Sequence, residues 1–194
     1  MAREILLDSY LKKLAAKTPT PGGGSAAALT AALGAALISM AAKYILKRAL
    51  GRSVCKRVIA ISSSSEKALE RLELLMNEDE KAYLRLATEI KKRRPKNILG
   101  LYKDAVGVPL KVCGITAGLM RGSAELCRYS KTSIISDVAE AALLLEAAFL
   151  SAKLNVEINL RSIGSADYKN KIRSALRRDE RNMLKAKKRV RIIC

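Results

Sequence analysis

The chain has 194 residues, nearly half of them apolar, no tryptophan, a single phenylalanine and a formal net charge of +19 at neutral pH, so its core must be built from aliphatic side chains and alanine. Histidine is absent, which excludes Ser-His triads, Cys-His nucleophile pairs and histidine metal sites and leaves proton transfer to carboxylate, lysine, tyrosine or cysteine. Cys55, Cys113, Cys127 and Cys194 form no CxxC pair and no zinc spacing; the pattern suits reduced thiols in a cytoplasmic protein, and no metal is expected.

Apolar spacing near 3.6 residues dominates and no segment alternates as a strand would. The pattern predicts an all-α fold, an antiparallel bundle of about six helices, over roughly residues 3–16, 24–48, 53–93, 98–129, 134–162 and 165–190. Breaks fall at residues 19–24, Gly51, Pro95, residues 130–133 and Gly164. Short connections imply antiparallel neighbours and leave no linker between domains, so residues 1–194 read as one helical domain with a basic tail over about 185–194.

The first segment carries Glu4 and Asp8 and lacks the compact apolar region of a signal peptide. It leads into Thr18-Pro19-Thr20-Pro21-Gly22-Gly23-Gly24-Ser25, then into residues 26–42, of which nine of seventeen are alanine. Two prolines stiffen the approach, three glycines allow backbone to come close to a bound group, and Ser25 is placed to cap the following helix, whose N-terminus attracts anions. Pro21, Gly22, Gly23, Gly24 and Ser25 are therefore candidate ligand-binding residues, although a connector ahead of a core helix has the same composition. The uncharged run barely reaches a bilayer span and alanine adds little insertion energy, so no membrane partner is expected.

In the third segment a helical wheel puts Ile61, Ala68, Leu72, Leu75, Met76, Ala82, Tyr83, Leu86 and Ile90 within about 60° of Asp79. Asp79 thus lies in the apolar stripe, while Glu73, Glu78, Glu80, Lys81 and Arg85 point away. A buried carboxyl with a raised pKa can shuttle protons; the competing structural role is a buried ion pair with a neighbouring helix.

Pro109 inside the fourth segment should kink the helix or start a new one after Gly107. On the fifth, Asp137, Ala141, Leu144, Ala148, Asn155 and Asn159 share one line. Asp137, Asn155 and Asn159 are candidate ligand contacts, with interhelical hydrogen bonding the commoner use of such asparagines. The alanine stripe of the second helix and the face bearing Ala141 and Ala148 exceed what one small bundle needs for packing, so a homodimer is expected.

The positive charge concentrates in Lys91-Lys92-Arg93-Arg94-Pro95-Lys96 and in the last segment, where ten Lys or Arg lie between Lys171 and Arg191 against Asp179 and Glu180. Such a surface attracts polyanions. Nucleic acid is one candidate partner, disfavoured by the scarcity of aromatic residues and the lack of a nucleic-acid-binding motif.

These residues form an ordered series of motifs across nearly the whole chain: Pro19-Thr20-Pro21-Gly22-Gly23-Gly24-Ser25, Gly34 and Met40, Asp79-Glu80-Lys81-Ala82-Tyr83, Pro95-Lys96-Asn97, Val108-Pro109-Leu110, Ser136-Asp137-Val138 and Asn155-Val156-Glu157-Ile158-Asn159-Leu160. In this series the chain resembles the cyclodeaminase domain of formiminotransferase-cyclodeaminase and the stand-alone methenyltetrahydrofolate cyclohydrolases. The resemblance implies an all-helical, usually dimeric subunit acting on the one-carbon unit between two nitrogens of tetrahydrofolate, with no cofactor beyond that substrate. It implies either closure of formimino-tetrahydrofolate with loss of ammonia or hydrolysis of the methenyl form, and Asp79 matches the family's proton acceptor. Lys96 is a candidate for a substrate carboxylate, or else simply part of the basic cluster at the helix end, and the positive surface as a whole would favour polyglutamylated folate. The lack of a formiminotransferase domain in this sequence tilts the expectation towards cyclohydrolase. The basic clusters depart from the family pattern and keep a second class of function open, a non-catalytic helical module binding nucleic acid or another polyanion.

Overall fold

A computed structural model describes residues 7–48, 50–94 and 96–191. The predicted start of the first helix before Leu7, the break at Pro95, Cys194 and the last three residues of the basic tail lie outside the described residues. Six helices follow in chain order: α1 (Leu7–Ala15), α2 (Gly23–Leu46), α3 (Arg52–Ile90), α4 (Ile98–Leu126), α5 (Thr132–Arg161) and α6 (Ala166–Arg191). Among the described residues there is no strand, so the all-α expectation holds, with boundaries within a few residues of those predicted.

Helices α2, α3, α4 and α5 form a ring in which each packs on the next, and α6 covers the groove between α4 and α5. Side-chain bonds fix the directions. Ser39 reaches Glu66 and Ser25 reaches Glu80, so α2 and α3 are antiparallel; Ser123 bonds the Val138 carbonyl, so α4 and α5 are antiparallel as well. Gly34 has no room for a Cβ, which would fall 2.9 Å from Leu145 Cγ and 3.2 Å from the Ala141 carbonyl. Small residues on α2 and α5 thus let two backbones close on each other, burying Ala31, Ala35, Ala141 and Ala148 completely. Gly23–Leu46 has the length and composition of a membrane span, yet most of it is buried against its neighbours.

Helix α6 is held by ion pairs to α5: Lys153 to Glu180 at 2.7 Å, Arg173 to Glu157 at 2.8 Å, and Lys187 to Glu146. Most of its remaining charge faces water, while Asp179 is turned towards Gly114 on α4.

Pro109 does not end α4. The helix runs through it, with Pro109 buried, and starts no new segment after Gly107. A mid-helix proline cannot donate to the carbonyl four residues back, here Ala105, and that carbonyl instead accepts from Asn159 Nδ2 at 2.9 Å.

Candidate active site

The N-terminus of α2 has no cap of its own. Gly22 occupies the cap position with extended backbone and no side-chain bond, and the first turn holds no acid. Ser25 is therefore not the cap expected from sequence; it sits in the first turn, fully buried. Helix starts leave amide N–H groups unsatisfied and carry partial positive charge. The Ser25 N–H donates to the Asp79 carboxylate from α3, so a neighbouring helix supplies the missing acceptor.

Gly24 makes this possible. A Cβ there would fall on the Asp79 carboxylate, 2.5 Å from Cγ, so the carboxylate lies directly against the bare glycine backbone. Gly23 is looser, its added Cβ meeting the Asn155 side chain at 3.8 Å, and at Gly22 it would meet open space. Among the described residues no glycine has positive φ, so close approach, not backbone freedom, is the reason for Gly24.

Burial holds the Asp79 carboxyl above the usual 3.8; the Ser25 N–H opposes this shift and the nearby Glu80 carboxylate adds to it. The buried ion pair considered from sequence is not formed: among the described residues no Lys or Arg bridges Asp79.

Two further groups meet at the same point. Ser25 Oγ donates to Glu80 Oε1 at 3.4 Å and accepts from the Tyr10 hydroxyl at 3.2 Å. Tyr10 is buried, and burial pushes its phenol above 10.0, with the hydrogen bond to Ser25 acting the other way. Tyr10 was not singled out in the sequence because it shares one apolar stripe of α1 with Leu7, Leu11 and Leu14, of which Leu7 and Leu11 in fact lie exposed. Glu80 was placed off the stripe by the wheel. Its side chain is long enough to curl back about 100° round the helix and reach Ser25.

The apolar line through Asp79 also stops earlier than expected. Leu72, Leu75, Met76, Ala82 and Leu86 are buried, but Tyr83 and Ile90 are 49% and 50% exposed. Helix α2 begins opposite Asp79, so on that side the rest of α3 runs past the end of its cover.

The other candidates are dispersed. Asn155, beside Gly23, donates Nδ2 to the Ser151 carbonyl at 2.9 Å; Asn159 serves Ala105 as described. Lys96 is exposed in the turn after α3, its backbone N–H donating to Glu89 at 2.6 Å, and Glu89 is about 15 Å along α3 from Asp79. Asp137 lines a cavity of about 500 Å³ with Met40, Tyr44, Arg48 and Lys131 at the far end of α2. In one chain the site therefore comprises Asp79, Glu80, Tyr10, Ser25, Gly24 and, at its edge, Gly23 and Asn155. On the adjoining flank of α3 a groove of about 310 Å³ carries Lys81, Arg85, Lys103 and Lys111 against Glu78 and Asp104. Among the described residues no three acids or thiols cluster as metal ligands.

The sequence profile of the formiminotransferase-cyclodeaminase family matches residues 6–178. The formimidoyltransferase-cyclodeaminase of Rattus norvegicus is 30% identical over 86% of this chain and 32% of its own length; the chain spans about a third of that relative. The methenyltetrahydrofolate cyclohydrolase of Methylorubrum extorquens is 28% identical over 84% of this chain and 83% of its own. The crystal structure of formiminotetrahydrofolate cyclodeaminase from Thermotoga maritima superposes with a TM-score of 0.94 at 25% identity, covering 100% of this chain and 97% of that one.

Proposed function

The chain belongs to the formiminotransferase-cyclodeaminase family, and from that premise we propose that it transforms the one-carbon unit of a tetrahydrofolate, with Asp79 as the proton-transfer group. The observation that carries this reading is the Asp79 carboxyl itself. It is raised by burial, free of any bridging cation and aimed by the Ser25 N–H. A base works best with a pKa near the working pH and a fixed direction; desolvation moves the Asp79 carboxyl upward from its ordinary value, and the helix start supplies the direction.

In hydrolysis, ionised Asp79 takes a proton from water as its oxygen bonds to the cationic methenyl carbon. The tetrahedral adduct then breaks its bond to one ring nitrogen, leaving the formyl group on the other and releasing one proton overall. In cyclisation, the second folate nitrogen attacks the protonated formimino carbon and loses its proton to Asp79. Asp79 returns that proton to the departing amine, which leaves as ammonia as the methenyl cation forms. No reactant is consumed beyond the folate and, in hydrolysis, water, and neither route is a net oxidation or reduction. Glu80 and Tyr10 hold Ser25 between them and keep the Asp79 acceptor in place.

The cyclohydrolase of Methylorubrum extorquens and the cyclodeaminase of Thermotoga maritima both match over most of their length, so both reactions belong to this reading and the assay decides between them. Substrate glutamates would lie in the groove of Lys81, Arg85, Lys103 and Lys111, which favours polyglutamylated folate because each added carboxylate gains screened Coulomb attraction.

A homodimer also belongs to this reading. The small-residue faces once expected to form its interface are consumed within the chain, where Ala141 and Ala148 pack on α2. The apolar surface left over is a different one: Leu33 and Tyr44 on α2, and Leu143, Leu150, Leu154 and Ile158 on α5. Leu154 and Ile158 flank Asn155 and so the glycine end of α2, where a second copy would wall the site.

The deciding experiment supplies purified protein with methenyl- and formimino-tetrahydrofolate side by side, following methenyl absorbance and ammonia. Methenyl loss without ammonia identifies the cyclohydrolase, and ammonia release identifies the cyclodeaminase. Neither conversion above the spontaneous rate overturns the enzyme reading.

A further inference from the structure

The far end of the bundle holds a second built feature. Along α3, Arg57 is about 33 Å from Asp79. There α3, α4 and α6 border an open cavity of about 1070 Å³ whose polar lining is Arg57, Arg121, Glu125, Arg128, Tyr129 and Arg189. The sequence sets up the convergence, since Arg121 and Glu125 fall at i and i+4 on one face of α4 and Arg128 follows in the turn that ends the helix.

One arginine is neutralised and positioned. Arg57 Nε lies 3.2 Å from Glu125 Oε1, and its guanidinium sits 6.0 Å from the centre of the Tyr129 ring. The end of α4 is pinned as well, because Arg48 from the end of α2 donates to the Tyr129 carbonyl at 2.7 Å. Arg121, Arg128 and Arg189 have no carboxylate partner among the described residues. These three guanidinium groups are exposed around one concavity, so their mutual repulsion is screened by water, and their shared positive potential favours an anion that can reach them together.

We propose that this cavity is a binding site for a small ligand carrying two or more phosphate groups, separate from the Asp79 site. Guanidinium forks match phosphate oxygens in pairs, and three of them, from α4, the turn that follows it and α6, suit a multiply charged group better than a single carboxylate. The size is that of a small-molecule pocket. An extended nucleic acid would need several exposed rings to stack on, whereas this cavity is lined by one aromatic ring, Tyr129, which Arg57 already engages. The proposal does not depend on the folate reading, and it assigns a role to part of the charge that separates this chain from the family pattern.

The test is calorimetric titration of the full chain with inorganic tripolyphosphate at about 0.15 M salt, where diffuse surface attraction is largely screened. One saturable site per chain is expected. The double variant Arg121→Gln/Arg128→Gln should weaken it by about tenfold or more, as loss of charge-assisted hydrogen bonds implies. The charge-matched variant Lys171→Gln/Arg177→Gln, altering exposed positions on α6 outside the cavity, should bind within about twofold of wild type by the same reasoning. Circular dichroism confirms that both variants are folded, and a second pair, Arg189→Gln and Lys188→Gln, repeats the comparison if the first does not fold. Equal weakening by cavity and control variants overturns the site, as does no binding of tripolyphosphate. Tighter binding of penta-γ-glutamate or of a single-stranded oligonucleotide than of tripolyphosphate overturns the assignment of a small phosphate ligand. Folate turnover is measured in parallel, and its absence leaves the binding result to stand by itself.

Discussion

Asn159 takes the place of the amide that Pro109 lacks: its Nδ2 donates to the Ala105 carbonyl at 2.9 Å, the acceptor that a residue 109 N–H would otherwise serve. A buried carbonyl without a partner costs about 1–3 kcal/mol. Asn159→Leu should therefore lower stability by about that amount. In a Pro109→Ala background the restored backbone N–H can bond Ala105, and the same substitution should cost clearly less. Urea unfolding of the four proteins gives the coupling; an equal cost in both backgrounds would show that Asn159 acts elsewhere.

The glycines before α2 form a graded series. Gly24→Ala puts a methyl group onto the Asp79 carboxylate, so turnover should fall sharply while the fold persists. Gly23→Ala meets Asn155 only at ordinary contact distance, and Gly22→Ala meets nothing; both should remain active. By contrast, Gly34→Ala overpacks the α2 and α5 contact and should cost about 1–3 kcal/mol of stability. Steady-state rates and thermal unfolding on all four distinguish the outcomes. Equal loss of turnover at Gly22 and Gly24 would mean that the loop, not the carboxylate contact, governs activity.

Much of this arrangement was legible before any coordinates. The helices were, because their apolar periodicity is long and their breaks are marked by Gly and Pro. Asp79 was legible as an acid on an apolar line, and Gly24 as a residue needing close approach, but nothing local says that they touch, since 55 positions separate them. Glu80 was misplaced because a wheel records where a side chain starts and not how far it reaches. The role of Asn159 had a signal that went unused: a proline inside a helix announces an unserved carbonyl four residues earlier. Tyr10 had none, as it is one of four residues on a single short apolar stripe with Leu7, Leu11 and Leu14, and only tertiary packing decides which edge of that stripe is covered.

The exposed stripe of α5 gives a direct test of assembly. Leu154 and Ile158 are 66% and 58% exposed, and apolar surface left open in this way marks an interaction face. Light scattering should give twice the 21.1 kDa chain mass, and Leu154→Glu/Ile158→Glu should give the monomer with reduced turnover. A wild-type protein that is monomeric at micromolar concentration removes the dimer.

Asp79→Asn separates catalysis from capping. The asparagine keeps an oxygen to accept the Ser25 N–H but cannot ionise, so turnover should fall by about a hundred- to ten-thousand-fold, the usual worth of general acid–base catalysis, with folate affinity little changed. No cation is stranded, because none bridges Asp79, so the loss of stability expected for a broken ion pair should not occur. The pH dependence supplies a second readout. Burial raises the Asp79 carboxyl above 3.8 in the folded chain; the folded state therefore favours the protonated form. That contribution is complete below about pH 3.8 and is lost as the pH climbs through the raised folded value. The variant has no such group, so relative to wild type it should gain stability from acid towards neutral pH, as read by urea unfolding. The wild-type rate should run the other way, falling as acid protonates the base. Near-wild-type turnover in folded Asp79→Asn would reduce this carboxylate to a helix cap supplied from a neighbouring helix.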